Sequence, residues 1–234
     1  MELEIKKEIV EVCRRLYLHK FIANHDGNVS ALISNGTFLT TPTAESKWDI
    51  KDSSLIKVDK NGKLLSGNRN PFSELKIHLA AYNARSDIKA VVHAHPPYST
   101  AISCSGKSLS LLPFPEAIVS LGAEVRLTNF AIPGSQESAE AIKDLILESD
   151  VLLLANNGVL AVGDTPLQAY YRLELVEHIA KITTISKQEL IPIPKSSIDN
   201  LLKKRSELVF TTKNFDNNFT EKIVTEVLKR FRMF

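Results

Sequence analysis

The feature that most constrains this chain is a predicted buried strand that ends in two histidines. Residues 88–96 read Ile-Lys-Ala-Val-Val-His-Ala-His-Pro, and a predicted helix that begins at Ser73 and contains Glu74 comes before them. Residues two apart on a strand point to the same face of a sheet, so His93 and His95 can reach one ion together. Glu74 lies on the helix that returns the chain to this strand. The pattern therefore predicts a metal site with a carboxylate beside it.

A His-x-His pair also has a simpler explanation. Two partly buried histidines whose nitrogens are satisfied by hydrogen bonds would give the same pattern. Imidazole suits zinc and its first-row neighbours, and a catalytic zinc usually takes three protein ligands and keeps one position open. The choice between the two interpretations therefore depends on the rest of the chain.

The composition is that of an ordinary globular protein with one large domain or two small ones. The chain has 234 residues, of which 44% are hydrophobic and 24% charged, enough for a sizeable core. The net charge of +2 with dispersed basic residues argues against a nucleic-acid surface. No apolar run is long enough for a membrane span, and no signal peptide opens the chain. Two cysteines form no disulfide framework, so we expect reduced thiols and a cytoplasmic location.

Turn signals and hydrophobic periodicity predict hairpins followed by alternating helices and strands. Asn-Gly pairs at 35–36 and 61–62 mark two hairpins, and the apolar run 151–154 predicts a strand buried on both faces. These hairpins indicate an antiparallel or mixed sheet with helices on its faces. A proline-rich connector at 191–195 divides the chain into a domain at 1–190 and a C-terminal helical extension at 191–234. The predicted helices are 5–20, 73–85, 99–104, 136–147, 165–187, 197–210 and 219–231.

Five motifs, in this order and spacing, resemble the class II aldolase/adducin family, most closely its fuculose-phosphate aldolase branch. The resemblance runs from the first helix to about residue 187. It implies a three-layer α/β/α sandwich around a mainly antiparallel central sheet, assembled as a homotetramer. The motifs are Gly27-Asn28-Val29-Ser30, Thr41-Pro42-Thr43, Ser73-Glu74 with His78 and Tyr82, the strand that carries His93 and His95, and residues 153–160.

The resemblance also assigns roles to individual residues. It implies that Glu74 is the catalytic acid/base and that His93 and His95 bind a divalent metal ion, expected to be Zn²⁺. It implies that a phosphorylated sugar is the partner of the site. The phosphate-binding positions that it implies are Gly27, Asn28, Thr43, Ala44 and Ser73.

The residues themselves agree with a phosphate site, although each has a structural alternative. Gly27 lets the backbone approach an anion closely, and a helix that opens at Ser73 offers free N–H groups. The alternatives are that Gly27-Asn28 only forms a turn and that Ser73 is only a helix N-cap. His78 lies on the apolar face of its helix, where we expect a core histidine and not a ligand.

Three positions depart from the family's pattern. Ala44 stands where glycine is usual, and Phe72 stands where a second serine is usual. Asn157 occupies the place of the third metal histidine, and an amide oxygen is a harder and weaker ligand than imidazole. His25, close to Gly27, is an alternative third ligand, although its position favours contact with the phosphate.

The activity implied by the resemblance is aldol cleavage of a phosphorylated ketose such as L-fuculose 1-phosphate. The products would be dihydroxyacetone phosphate and an aldehyde, formed through a metal-stabilised enediolate. Glu74 would move the proton at carbon, for which burial should raise its pKa from ~4.3 towards ~6–7. The same chemistry leaves open an epimerase or a dehydratase. Asn157 leaves open a binding or assembly protein that has lost catalysis.

Overall fold

The computed structural model describes residues 2–34 and 36–212, which form one central sheet covered by helices. Its strands are β1 (Asn28–Ser34), β2 (Thr37–Thr40), β3 (Ile56–Asp59), β4 (Leu64–Ser66), β5 (Ala90–Ala94), β6 (Leu109–Ser110), β7 (Glu124–Leu127), β8 (Val151–Leu153) and β9 (Val159–Gly163). Its α-helices are α1 (Glu2–Leu18), α2 (Leu75–Ala84), α3 (Pro97–Cys104), α4 (Pro115–Leu121), α5 (Gln136–Ile146), α6 (Pro166–Ile185) and α7 (Lys195–Thr212).

The sheet is almost entirely antiparallel. Its strands lie in the order β4-β3-β2-β1-β5-β9-β8-β7-β6. Only β7 and β8 run parallel within the described residues, and every other neighbouring pair is antiparallel. Both predicted hairpins are present as β1–β2 and β3–β4. The predicted fold class is therefore confirmed.

Side-chain alternation along the strands separates two helical layers. On β5, Ala90, Val92 and Ala94 belong to the hydrophobic cluster that includes α1 and α6. Val91 belongs to the cluster on the opposite face, with α2 and α5. Because alternate residues share a face, His93 points towards the α2 side together with Val91. The two histidines therefore lie under the helix that follows Glu74.

Two predicted helix starts are confirmed and one is wrong. Ser135 accepts a hydrogen bond from Ser138 N, and Thr165 accepts one from Gln168 N, as N-caps do. Ser73, however, is not an N-cap: α2 begins at Leu75, and Glu74 takes the cap position without a side-chain capping bond. The Glu74 carboxylate points into the site instead.

The C-terminal extension packs on the main body through α7. Arg205 on this helix donates hydrogen bonds to the carbonyls of Val119 and Ser120 at the end of α4, and pairs with Asp150. The predicted helix at 219–231 lies outside the described residues. The division at residue 190 and the homotetramer stay predictions.

The structure describes the length and hydropathy of the helices and the state of the two cysteines. No helix among the described residues combines the length and the hydropathy of a transmembrane span. Cys13 and Cys104 are both free thiols in the described part of the chain, Cys13 buried and Cys104 exposed.

Candidate active site

The two histidine rings converge on one point at the end of β5. Their Nε2 atoms lie 3.1 Å apart. The other ring nitrogen of His93, Nδ1, lies 2.9 Å from the carbonyl oxygen of Val159 on the neighbouring strand β9. A carbonyl oxygen can only accept a hydrogen bond, so Nδ1 carries the proton. With Nδ1 protonated, the neutral form of His93 presents the Nε2 lone pair to His95, whereas the cationic form donates its Nε2–H to Glu74.

The carboxylate of Glu74 completes this cluster from the other side. Its Oε2 lies 3.3 Å from His93 Nε2 and accepts a hydrogen bond of 3.1 Å from Asn28 Nδ2. Its Oε1 accepts a hydrogen bond of 2.7 Å from Asn157 Nδ2. Residues from β1, from β5 and from the β8–β9 turn thus hold the Glu74 carboxylate in a fixed orientation.

The electrostatics of the cluster favour a cation between the rings and the carboxylate. Burial raises the pKa of Glu74, but attraction to His93 and hydrogen bonds from His93, Asn157 and Asn28 outweigh it and lower that pKa well below its usual range. This is the reverse of the predicted elevation. Burial lowers the pKa of His93, but the negative charge of Glu74 outweighs it, so that pKa is raised. The pKa of His95 is lowered by burial and by His93, which favours the neutral form that binds metals.

The geometry of the two imidazoles fits a shared divalent ion. Two nitrogens at about 2.0–2.1 Å from one tetrahedral ion lie ~3.4 Å apart, close to the 3.1 Å observed. The cluster is short of ligands, however. In residues 2–34 and 36–212, no group of three or more histidine, cysteine, aspartate or glutamate side chains is arranged to hold a metal. Any third protein donor would therefore have to come from another residue type.

The β8–β9 turn brings Asn157 to this place. Leu154 N donates to Gly158 O, and Asn157 N donates to Leu154 O, both over 2.9 Å. A Cβ on Gly158 would lie 2.3 Å from the carbonyl oxygen of Ala94, so only glycine lets the turn pack against β5. Asn157 consequently contacts both Glu74 and His95. Its role as a metal ligand stays a prediction.

Three segments predicted to bind phosphate lie side by side next to this cluster. The Thr41 hydroxyl accepts a hydrogen bond of 3.2 Å from Val29 N at the start of β1. Thr43 N donates to Asn70 O over 3.0 Å, which joins the Thr43 loop to the segment before α2. The side chains of Thr43, Ala44 and Ser73 are exposed, so the structure leaves them accessible to a ligand.

The Gly27-Asn28 turn lies between the phosphate segments and the histidines. Gly27 has φ +73°, and a Cβ there would lie 2.7 Å from Ile22 Cγ2 and 3.1 Å from His93 O. Asn28 is buried and directs its amide NH₂ at Glu74, while its Oδ1 has no hydrogen-bond partner in the described part of the chain. The structure thus links Asn28 to the carboxylate, and its predicted contact with phosphate stays a prediction.

Comparison with known proteins identifies the family. The model of the Class II Aldolase and Adducin N-terminal domain matches residues 7–184. The chain belongs to the class II aldolase/adducin family. The predicted family is therefore confirmed over more than half of the sequence, and the extension at 191–234 lies beyond the matched range.

The chain is similar to enzymes that are named for phosphorylated substrates. It is 32% identical to an L-fuculose phosphate aldolase of Methanocaldococcus jannaschii over 181 residues, 77% of this chain and 96% of that protein. It is 30% identical to a 3-oxo-tetronate 4-phosphate decarboxylase of Escherichia coli over 188 residues, 79% of this chain and 88% of that protein. A solved L-fuculose 1-phosphate aldolase superposes with a TM-score of 0.79 and 29% identity, covering 86% of this chain and 95% of that one.

Two of the departures from the class II aldolase pattern have a visible structural setting. Ala44 has φ +55°, a left-handed conformation that favours glycine. Phe72 is buried with Phe38 and Ile56, and its ring centre lies 5.0 Å from that of His78. The Phe72 side chain therefore belongs to the core, and the phosphate segments have one hydroxyl fewer at this point.

His78 is a core histidine, as predicted. Its Nδ1 lies 2.7 Å from the hydroxyl of Ser30, which also contacts the hydroxyl of Tyr82 at 2.8 Å. Burial lowers the pKa of His78 to about 3, with a further contribution from His93. His78 is therefore neutral and packs in the core between Ser30 and the ring of Phe72.

Two acidic residues near the site, Asp26 and Glu177, were not predicted from the sequence. Asp26 Oδ2 lies 3.8 Å from His95 Nδ1. Glu177, on the buried side of α6, accepts hydrogen bonds from Tyr98 N at 3.0 Å and from Ser99 N at 2.8 Å. These amides open α3, which begins two residues after His95. Glu177 could have been noticed in the sequence only because it occupies an otherwise apolar position of α6.

Proposed function

We propose that the chain is a metal-dependent aldolase that reversibly cleaves a phosphorylated ketose, with L-fuculose 1-phosphate as the first candidate. The products would be dihydroxyacetone phosphate and an aldehyde. The observation that carries the proposal is the convergence of His93 Nε2 and His95 Nε2, 3.1 Å apart, with Glu74 Oε2 3.3 Å from His93 Nε2. The relatives named as L-fuculose phosphate aldolases support the substrate class.

His93 and His95 would hold the divalent ion, expected to be Zn²⁺, with the side chain of Asn157 as a weaker third donor. When bound, such an ion supplies Lewis-acid stabilisation of negative charge on substrate oxygens. The hydrogen bond from His93 Nδ1 to Val159 O keeps the His93 ring in the tautomer that leaves Nε2 available.

Glu74 would accept and return the proton at the reacting carbon or hydroxyl group. Its lowered pKa keeps it ionised at neutral pH, the form that accepts a proton. Asn28 and Asn157 hold one oxygen each, so the carboxylate has little freedom to rotate away from a bound substrate. Such positioning converts the proton transfer into a reaction between groups already in contact.

The substrate phosphate would bind the three adjacent segments that contain Gly27, Asn28, Thr43, Ala44 and Ser73. Exposed hydroxyls of Thr43 and Ser73 and the backbone N–H groups of these segments are suitable donors to phosphate oxygens. Binding there would anchor the ketose with its reacting carbons towards Glu74. Asn28 would orient Glu74 as well as border the phosphate.

A second candidate is decarboxylation of a phosphorylated 3-oxo acid. The Escherichia coli relative named 3-oxo-tetronate 4-phosphate decarboxylase is 30% identical to this chain. Its name supplies a defined class of substrate for an assay. Loss of CO₂ from a 3-oxo acid leaves negative charge on oxygen next to the reacting carbon, as aldol cleavage does. The carbon that loses CO₂ would then need one proton, which the ionised Glu74 could deliver only after taking it up from solvent.

One assay distinguishes the two candidates. Purified protein loaded with Zn²⁺ is incubated with a panel of ketose 1-phosphates and with phosphorylated 3-oxo acids, and dihydroxyacetone phosphate and CO₂ are measured separately. We expect dihydroxyacetone phosphate from at least one ketose, abolished by a chelator and restored by added zinc. Release of CO₂ alone would establish the second candidate, and full activity after removal of all metal would overturn both.

A further inference from the structure

A buried lysine joins the two loops that flank the proposed phosphate subsite. Lys47 is only 1% exposed. Its Nζ donates hydrogen bonds to His25 O at 2.9 Å and to Glu45 O at 3.1 Å. His25 lies two residues before Gly27, and Glu45 directly follows Ala44. One ammonium group therefore connects the backbone of both loops.

The positive charge of Lys47 is not neutralised by a contacting carboxylate in the described part of the chain. Its hydrogen-bond acceptors among the described residues are two neutral carbonyls, and Asp26 and Glu45 act on it only through longer-range attraction. The Cys13 thiol nearby does not compensate for the charge, because burial raises the pKa of Cys13 to about 12 and keeps the thiol protonated.

Such an arrangement is costly for the fold. Removing an ammonium from water is unfavourable, and apolar side chains of similar size often replace buried charged groups that have a purely structural role. Burial lowers the pKa of Lys47, because the loss of contact with water destabilises the charged form of the amine. A positive charge in this place would, however, attract an anion that binds between the two loops.

We propose that Lys47 is a positioning residue of the phosphate subsite, an inference that rests on the proposed function. Its ammonium holds the His25 and Glu45 carbonyls, which sets the spacing between the Gly27-Asn28 turn and the Thr43-Ala44 loop. The same group adds positive charge behind the N–H groups that would face the phosphate. Lys47 does not need to touch the substrate in order to act.

Titration with inorganic phosphate tests this role without requiring a known substrate. Phosphate is titrated calorimetrically into the full chain and into Lys47→Met and Lys47→Gln variants at constant ionic strength. Lys47→Met removes both the charge and the donors, and Lys47→Gln keeps a donor for one carbonyl. Lys89→Met is the matched control, because Lys89 also donates to a backbone carbonyl, Ser86 O, but is exposed and lies at the opposite end of β5 from His93.

We expect Lys47→Met to weaken phosphate binding at least tenfold, Lys47→Gln to lie between it and the parent, and Lys89→Met to match the parent. Zinc binding should stay within about twofold in all variants, since a general loss of structure would change it. If Lys47→Met does not fold, Lys47→Gln decides the question. Parent-like phosphate affinity in the folded Lys47 variants would overturn the role of Lys47 alone. Absence of phosphate binding in the parent would overturn the proposed subsite and this inference with it.

Discussion

Buried polar groups are arranged differently at the two ends of the central strands. At one end, Asp150 precedes β8 and pairs with Arg85 at 2.8 Å, Arg172 at 3.0 Å and Arg205 at 3.2 Å. At the other end, β8 leads into the turn that carries Asn157 beside the two imidazoles. The Asp150 end brings groups of opposite charge together. The histidine end brings together two ring nitrogens that can share at most one proton.

The Asp150 end of these strands therefore stabilises the fold, whereas the histidine end forms the proposed active site. A carboxylate that contacts three guanidinium groups supports the packing of α6, α7 and the strand ends against each other. The histidine end includes a buried acceptor, Asn28 Oδ1, without a partner among the described residues, and it holds Glu74 ionised in a mostly buried place. Unsatisfied buried groups cost stability, and functional sites are where such costs accumulate. The two ends should therefore respond differently to substitution.

The largest effect is expected for Glu74→Gln at the histidine end. The substitution removes the group that moves the proton but keeps its size, so turnover should fall by ~10²–10⁴-fold on any substrate found. The melting temperature and the zinc content should remain close to those of the parent. Glu140→Gln, on the exposed face of α5, is the control and should keep full activity. Turnover within a few-fold of the parent would show that Glu74 only stabilises the start of α2.

At the opposite end, Asp150→Asn should reverse this pattern. Loss of the carboxylate leaves the partly buried guanidinium groups of Arg172 and Arg205 without this partner, while Arg85 keeps Asp87. Breaking a buried ion pair typically costs ~3–5 kcal/mol of unfolding free energy. Urea denaturation measures the loss, and activity per folded molecule should be unchanged. The control is Glu148→Gln, whose surface pair with Arg126 should contribute no more than ~1 kcal/mol. Equal stability of the two variants would remove the distinction between the strand ends.

A smaller effect on stability is expected in the loop that contains Ala44. Ala44 adopts φ +55°, which costs a residue with a Cβ roughly 1–2 kcal/mol. Because glycine also gains freedom in the unfolded chain, Ala44→Gly should raise the unfolding free energy by only about 0.5–1 kcal/mol. Ala23→Gly, in the loop before β1, lacks the left-handed conformation and should lower stability in the same denaturation experiment. A loss in both variants would contradict the strain assigned to Ala44.

Much of the fold could be predicted from local patterns. Asn-Gly turns, the caps Ser135 and Thr165, and the apolar run at the start of β8 act within a few residues, so the sequence displays them directly. The short strand β6 was missed because two residues carry too little periodicity to be recognised. Ser73 was wrongly predicted as an N-cap because local propensity cannot show that Glu74 is drawn into a tertiary cluster.

The site was predictable in its chemistry and less so in its environment. His93, His95 and Glu74 could be selected because strand alternation and helix position are local properties. The pKa of Glu74 was predicted in the wrong direction, since the outcome depends on Asn28 and Asn157, which reach it from distant segments. The roles of Lys47 and Glu177 depend on contacts across the fold for the same reason.

The zinc affinities of the parent and of Asn157→His show directly whether His93, His95 and the Asn157 turn form a metal site. A zinc titration against a competing chelator is run on both proteins, with Asn156→His as the control in the exposed neighbouring position of the same turn. We expect weak zinc binding by the parent, at least tenfold tighter binding by Asn157→His because imidazole is the better ligand, and no gain from Asn156→His. Unchanged affinity in Asn157→His, or no zinc binding by the parent even with excess metal, would contradict a metal site formed by His93, His95 and the Asn157 turn.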